Sequence, residues 1–168
     1  NASLTNVNGL GALVNIGGFL QFVNNAALTN LNGLSSLTNV GGEGVSIVNN
    51  AALTNVDGFS SLTTITGHLN FRDNASLTSV NGFSTLTNIG SYLRFNNNDQ
   101  LQSLNGLQNL TSIDGALIIQ NNDQLTDISA VANIDYTTIS FDSSYNAALS
   151  ITDNTLLSVC NLPNICAY

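Results

Sequence analysis

The sequence predicts a β-rich solenoid. Three observations carry that expectation: a repeat of 24 residues, apolar columns that recur once per repeat, and a pair of apolar positions two residues apart in each repeat. Aligning on Asn followed three residues later by Leu gives starts at Asn1, Asn25, Asn50, Asn74, Asn98, Asn122 and Asn146, spaced by 24, 25, 24, 24, 24 and 24 residues. The expected organisation is one repeat domain over 1–168. It has coils starting at 1, 25, 50, 74, 98 and 122 and a degenerate capping coil at 146–168, seven coils in all. The pattern frays in the sixth coil at Ala130, Val131 and Ile134.

Each position in the coil has a physical reason. Leu4, Leu28, Leu53, Leu77, Leu101, Leu125 and Leu149 form one apolar column, and Val7, Leu31, Val56, Val80, Leu104 and Ile128 form a second. Leu10, Leu34, Phe59, Phe83 and Leu107 form a third, followed by columns led by Leu13 and Ile16. The pairs Leu20/Phe22, Val45/Ile47, Leu69/Phe71, Leu93/Phe95 and Leu117/Ile119 have the spacing of a strand with one face buried. No segment sustains a helical pattern for three turns, and Gly recurs too often to permit one. Asn8, Asn32, Asp57, Asn81 and Asn105 each precede Gly, which reads as a turn needing positive φ. The repeating corner Asn is expected to satisfy backbone groups of its own and neighbouring coils with its amide. GGEGVSI at 41–47 superficially resembles a calcium-binding glycine-rich nonapeptide, but it lacks the Asp and the nine-residue period. It reads instead as a bulge that absorbs the extra residue of the 25-residue second coil, Glu43 or Gly44.

Composition narrows the function. The net charge is −8, yet only 7% of the chain is charged, against about 25% in an ordinary soluble domain. The only cations besides His68 are Arg72 and Arg94, too few to neutralise a row of phosphates, so no nucleic-acid partner is expected. No run of about 18 apolar residues and no basic amphipathic stretch occurs, so membrane insertion is not expected either. Neutral polarity replaces charge, with 28 Asn, 18 Ser and 16 Thr.

The string Leu20-x-Phe22-x-x-Asn25-x-x-Leu28, repeated along the chain, resembles the core of a leucine-rich repeat. The fuller pattern, LTNVNGLSSLTNVGG followed by L-x-I-x-N-N, more closely resembles the receptor L-domain type. This resemblance spans about residues 1–146. It implies a right-handed parallel β-helix-like stack of the kind found in receptor ectodomains, fungal cell-wall proteins and secreted surface proteins of Bacteroidetes-like bacteria. It leaves the ligand open.

Cys160 and Cys166, the only cysteines, lie where the repeat breaks down. A disulfide between them would pin the last coil and protect its apolar end. The alternative is a metal or redox pair, for which C-x5-C without a nearby His is poorly suited. The tail SVCNLPNICAY also resembles the terminating segment of such repeats in secreted bacterial proteins. A disulfide and the scarcity of charge point to a secreted or cell-surface location. The first coil begins without the strand that should precede it, which reads as processing, as a fragment of a longer array, or as a raw edge for end-to-end self-association.

Catalysis is not expected. One His, no Lys and no nucleophile-elbow glycines leave little acid–base or nucleophilic machinery, and no cofactor or metal site is expected. Asp99 and Asp123 share a column, but they sit in a corner turn where like charges would repel. Function is therefore sought on surfaces. The outward side of the principal strand varies most from coil to coil, and it collects Phe19, His68, Arg72, Tyr92, Arg94 and Ile118. Aromatic and Arg enrichment marks binding surfaces, so the leading expectation is a non-catalytic recognition or adhesion module for a cell-surface protein or glycan. A second expectation is ice binding through the Thr ranks Thr5, Thr29, Thr54 and Thr78, and Thr38, Thr63, Thr87 and Thr111. The third is a stalk or filament subunit.

Overall fold

A computed structural model describes residues 1–158. In chain order its strands are β1 (Asn15–Ile16), β2 (Leu20–Val23), β3 (Asn39–Val40), β4 (Gly44–Val48), β5 (Thr64–Ile65) and β6 (His68–Arg72). They continue with β7 (Asn88–Ile89), β8 (Leu93–Asn96), β9 (Ser112–Ile113), β10 (Leu117–Gln120) and β11 (Leu149–Thr152). The odd strands through β9 form a five-stranded parallel sheet, and β2, β4, β6, β8, β10 and β11 form a six-stranded parallel sheet. The fold is thus a parallel β-solenoid with coils of about 24 residues, each strand pairing with its counterpart one coil away.

The apolar columns fill the space between the sheets. Leu28, Leu53, Leu77, Leu101 and Leu125 are fully buried, and so are the Phe59/Phe83 and Phe71/Phe95 neighbours. Phe71 and Phe95 stack at 5.2 Å between ring centroids, and Phe71 meets Phe83 edge-on at 5.8 Å. The columns persist where the sequence seemed to fray. Val131 is fully buried and Ile134 is 2% exposed in the columns of Leu107 and Leu110, while Ala130, 4% exposed, takes the corner position that Gly106 holds one coil earlier.

The Asn/Asp-Gly corners differ from expectation. Asn8–Leu10, Asn32–Leu34, Asp57–Phe59 and Asn81–Phe83 form single 3-10 turns, and of these corners only that of Gly106 has positive φ, at 110°. In the second to fourth coils glycine is required by stacking instead, whereas the sixth coil carries Ala130 at the same position. A Cβ on Gly33, Gly58 or Gly82 would lie 1.8, 1.8 or 1.9 Å from the carbonyl oxygen of Val7, Leu31 or Val56 in the coil beneath. At Gly9, in the first coil, nothing lies within 4 Å. Positive φ falls on the residue before the corner Asn: Asn24, Asn49, Asp73, Asn97, Asn121 and Asp153, with φ between 53° and 59°. Short amide and carboxylate side chains tolerate that conformation. The extra residue of the second coil lies in Gly41–Gly44, since Val40 pairs with Ile16 and Val45 with Leu20.

The expected seventh start is also corrected. Leu149 does not continue the Leu125 column; it pairs with Leu117 in β10, a step of 32 residues rather than 24. The additional residues form an insert whose bridge joins Asp142 to Ala147, and the corner position passes from Asn146 to Asn154. Leu149-Ser-Ile151-Thr-Asp153-Asn154 repeats the strand-and-corner pattern of Leu117–Asn122, a signal masked by the accidental 24-residue spacing from Asn122 to Asn146. Cys160, Cys166 and the expected disulfide-closed end lie outside the described residues.

Candidate functional site

Most of the polar side chains are spent on the stack itself. Asn50, Asn74, Asn98 and Asn122 are completely buried. Asn74 Nδ2 donates to the Ile47 carbonyl at 2.9 Å and to Asn98 Oδ1 at 3.2 Å. Its own Oδ1 accepts from the backbone N–H and the Nδ2 of Asn50, at 3.1 and 3.3 Å. The same pattern links Asn25 to Asn50 and runs on through Asn98 and Asn122 to Asn154. This continuous ladder lets a buried corner exist without orphaned backbone groups.

The Thr ranks behave similarly. Thr29, Thr54 and Thr78 donate both their backbone N–H and their hydroxyl to the carbonyl of the preceding rank member. Thr38, Thr63, Thr87 and Thr111 do the same along the second rank, with hydroxyl distances of 3.1 to 3.3 Å. Their hydroxyl protons are therefore engaged within the protein, and the hydroxyl oxygens of Thr29, Thr38 and Thr54 also accept from the side-chain amides of Asn30, Asn39 and Asn55.

The outer side of the six-stranded sheet is different. Phe19, just before β2, His68, at the start of β6, and Tyr92, just before β8, form one row interrupted at β4 by Gly44. Gly44 has φ 103°, and a Cβ there would lie 2.1 Å from the His68 carbonyl oxygen. Across this gap the Phe19 ring meets His68 edge-on at 5.5 Å, and His68 stacks on Tyr92 at 4.6 Å with planes 6° apart. Tyr145, from the insert, meets Tyr92 edge-on at 5.0 Å, while the Arg94 guanidinium lies 4.9 Å from the Tyr145 ring centre. The structure thus adds Tyr145, which lies outside the repeat register and carries no periodic signal.

Beneath the aromatic row runs a polar one. Register places Gln21, Ser46, Asn70, Arg94, Ile118 and Ser150 side by side on successive strands. Ser46 Oγ lies 3.0 Å from His68 Nε2 and accepts from Asn70 Nδ2 at 3.3 Å. Burial lowers the His68 pKa, partly offset by Glu43, and favours the neutral ring, whose tautomer sets the direction of the bond with Ser46. The Ser46–His68 separation resembles a nucleophile–base couple, but Ser46 is only 5% exposed. No described hydrogen bond joins a carboxylate to the other ring nitrogen. Burial, followed by the adjacent Tyr145 phenol, raises the Tyr92 pKa well above its ordinary value, so its hydroxyl stays neutral.

The expected site residues separate. Phe19, His68, Tyr92 and Arg94 share one continuous patch. Arg72 lies on the same side, in the row with Val48 and Asn96, and its Nε is paired to Asp73 at 3.1 Å. Ile118 is only 1% exposed and supports the patch instead of presenting a contact. The middle of the face is less open than expected: Ser46, Asn70 and Asn96 are 5%, 8% and 7% exposed, because short side chains lie in the lee of larger neighbours on adjacent strands. Elsewhere, a shallow depression of about 360 Å³ is lined by Leu4, Phe22, Val23, Gln21, Asn1 and Asn25. Among the described residues, no group of three or more His, Cys, Asp or Glu could hold a metal.

Residues 1–126 match the BspA type leucine rich repeat region in six copies, and residues 87–167 match the receptor L domain. No curated protein and no solved structure matches the chain. Such domains are typically protein-binding modules and generally non-enzymatic, and BspA-type repeat proteins are typically extracellular or surface proteins of bacteria. Among the described residues, no helix is long and apolar enough to cross a membrane. Repeat length, parallel coil stacking and the family match agree: the chain belongs to the BspA-type leucine-rich-repeat family.

Proposed function

We propose that the protein is a secreted or cell-surface recognition module that binds a partner protein or glycan through the outer side of its six-stranded sheet, at Phe19, His68, Tyr92, Arg94 and Tyr145. The observation that supports this reading most is the difference in how polar groups are used. Corner amides and Thr hydroxyls are consumed by the stack, whereas aromatic rings and a guanidinium collect on one face without a repeating structural task. Rigid aromatic groups beside Arg are the usual anchors of recognition. A Cys160–Cys166 disulfide belongs to the same extracellular reading, and intact-mass measurement with and without reductant tests it.

Selection of random displayed peptides and a glycan array against the purified chain tests the proposal. Binders recovered on the wild type are expected to be lost by the His68→Ala/Tyr92→Ala variant while its fold, followed by circular dichroism, is retained. Equal binding to that variant, or an absence of binders in both screens, overturns it.

A further inference from the structure

We infer that Arg94 is the seat for a carboxylate of the partner, supplied by an acidic peptide segment. This inference rests on the outer-face reading above and names the chemistry that the face takes.

The argument begins with charge. Arg72 is already paired with Asp73, and among the described residues Arg94 has no carboxylate within ion-pair distance, although the chain carries ten acidic residues. The guanidinium is partly buried and held in place. One Nη2 proton goes to Asn96 Oδ1 at 3.2 Å, and the Tyr145 ring lies against the group. A fixed, partly desolvated guanidinium attracts a carboxylate more strongly than a solvated, mobile one, and its planar fork matches two acceptor oxygens. His68 and Tyr92, whose pKa shifts favour their neutral forms, leave Arg94 as the cation of the patch at neutral pH, with Glu43 acting on His68 and Asp142 on Tyr92 as its nearby acidic groups.

A second observation comes from hydrogen bonding. Among the described residues, the buried side-chain polar atoms without a protein partner are two, Arg94 Nε and Asn70 Oδ1. They belong to residues paired in register across β6 and β8, and Asn70 is 8% exposed. In a protein that satisfies a whole column of buried amides, one unspent donor and one unspent acceptor stand on paired residues here, and because both are closed off from solvent, a ligand that answers them enters with a shift of the Arg94 side chain. An aspartate or glutamate in a peptide supplies both complements, carboxylate oxygens for the guanidinium and a backbone N–H for the amide oxygen. The Tyr92 and Tyr145 rings provide apolar walls for its methylenes.

Because the chain has only two arginines, its heteronuclear NMR spectrum carries two arginine Nε–Hε signals, and Arg72→Gln assigns them. The probes are N-acetyl-Gly-Glu-Gly-amide, its Gln counterpart and glucuronate, each titrated at constant ionic strength. The Glu peptide is expected to move the Arg94 Nε–Hε signal and the Tyr145 ring signals saturably, with affinity about tenfold above the Gln peptide. The response should vanish in Arg94→Gln and persist weakened in Arg94→Lys. No saturable shift in the wild type up to about 20 mM overturns the assignment, whether or not the variants fold. An equal response to Gln peptide, or glucuronate binding as tightly as the Glu peptide, overturns it as well. The two readings fail separately. Displayed-peptide binders that ignore Arg94→Gln but are lost by His68→Ala/Tyr92→Ala remove the carboxylate seat and leave the face; binders that ignore both remove the face.

Discussion

The corner that carries Asn50, Asn74, Asn98 and Asn122 and the strand face that carries His68, Tyr92 and Arg94 are neighbours in every coil, yet they use polar chemistry in opposite ways. At the corner each amide is buried and each donor and acceptor is answered by the coil above or below. On the face, rings stack on rings, the guanidinium lies against an aromatic ring, and two buried polar atoms go unanswered. The comparison separates residues that repeat because stacking requires them from residues that vary because stacking does not. It also accounts for the low charge: a ladder amide or hydroxyl can donate and accept along the stack without the desolvation cost of an ion.

The strongest way to break this comparison is at the corner. Asn74→Ala removes the acceptor for two Asn50 donors and the donor for Ile47, all buried. At about 1 to 3 kcal/mol for each buried group left unpaired, the loss in urea unfolding should exceed about 3 kcal/mol. A loss below about 1 kcal/mol would show that the ladder is dispensable. Next comes Gly82→Ala, whose added Cβ would meet Val56 backbone oxygen at 1.9 Å, so the coils must part. A cost of about 2 to 3 kcal/mol is expected, against about 0.5 kcal/mol or less for Gly9→Ala, where the space is open. Equal effects at the two sites would refute the stacking explanation for these glycines.

The Thr ranks should give smaller effects. Thr54→Val removes an exposed hydroxyl bond to the Thr29 carbonyl and keeps the β-branched shape, so about 0.5 to 1 kcal/mol should be lost. With the hydroxyl protons engaged inside the protein, the wild type is expected to show no thermal hysteresis and no shaping of ice crystals. Hysteresis that Thr54→Tyr abolishes would move function from the strand face to the Thr ranks.

The smallest expected effect is a pH dependence. The folded His68 pKa lies below its ordinary value of about 6.5, so between the two values the unfolded chain binds more protons. Stability should be fully present above about 6.5 and fall as pH drops through the lowered folded value. Because His68 is half-exposed, this change is modest, and His68→Gln should flatten it. Unfolding midpoints measured from pH 5 to 8 check the sign; stability that rises as pH falls through this window, and does so only in the wild type, would contradict the burial of His68.

Much of the fold was legible because a solenoid reports itself in sequence. Leu28 through Leu125 recur at the coil length, and the Leu69/Phe71 spacing marks the strand. The glycine after Asn32 or Asn81 was legible as necessary but not for its reason. Positive φ and close backbone approach leave the same residue, and only the coil beneath distinguishes them. The insert was hidden because Asn146 happened to sit one repeat length beyond Asn122, so the eight extra residues disappeared into an apparently regular count. For the face, alternation along the strand identified Phe19, His68, Tyr92 and Arg94 as outward. It could not show that Ile118, between Arg94 and Ser150, is buried, or that Tyr145, in the insert, joins the row.

The most direct test of this division of labour is binding by the Tyr92→Ala/Arg94→Gln variant, measured with a displayed-peptide binder of the wild type and set beside its urea unfolding midpoint. The expected result is a loss of binding of about tenfold or more, with stability within about 1 kcal/mol of the wild type. Undiminished binding by that variant, with binding lost instead in a folded Thr54→Val/Thr78→Val variant, would place recognition on the repeating surface and contradict the account.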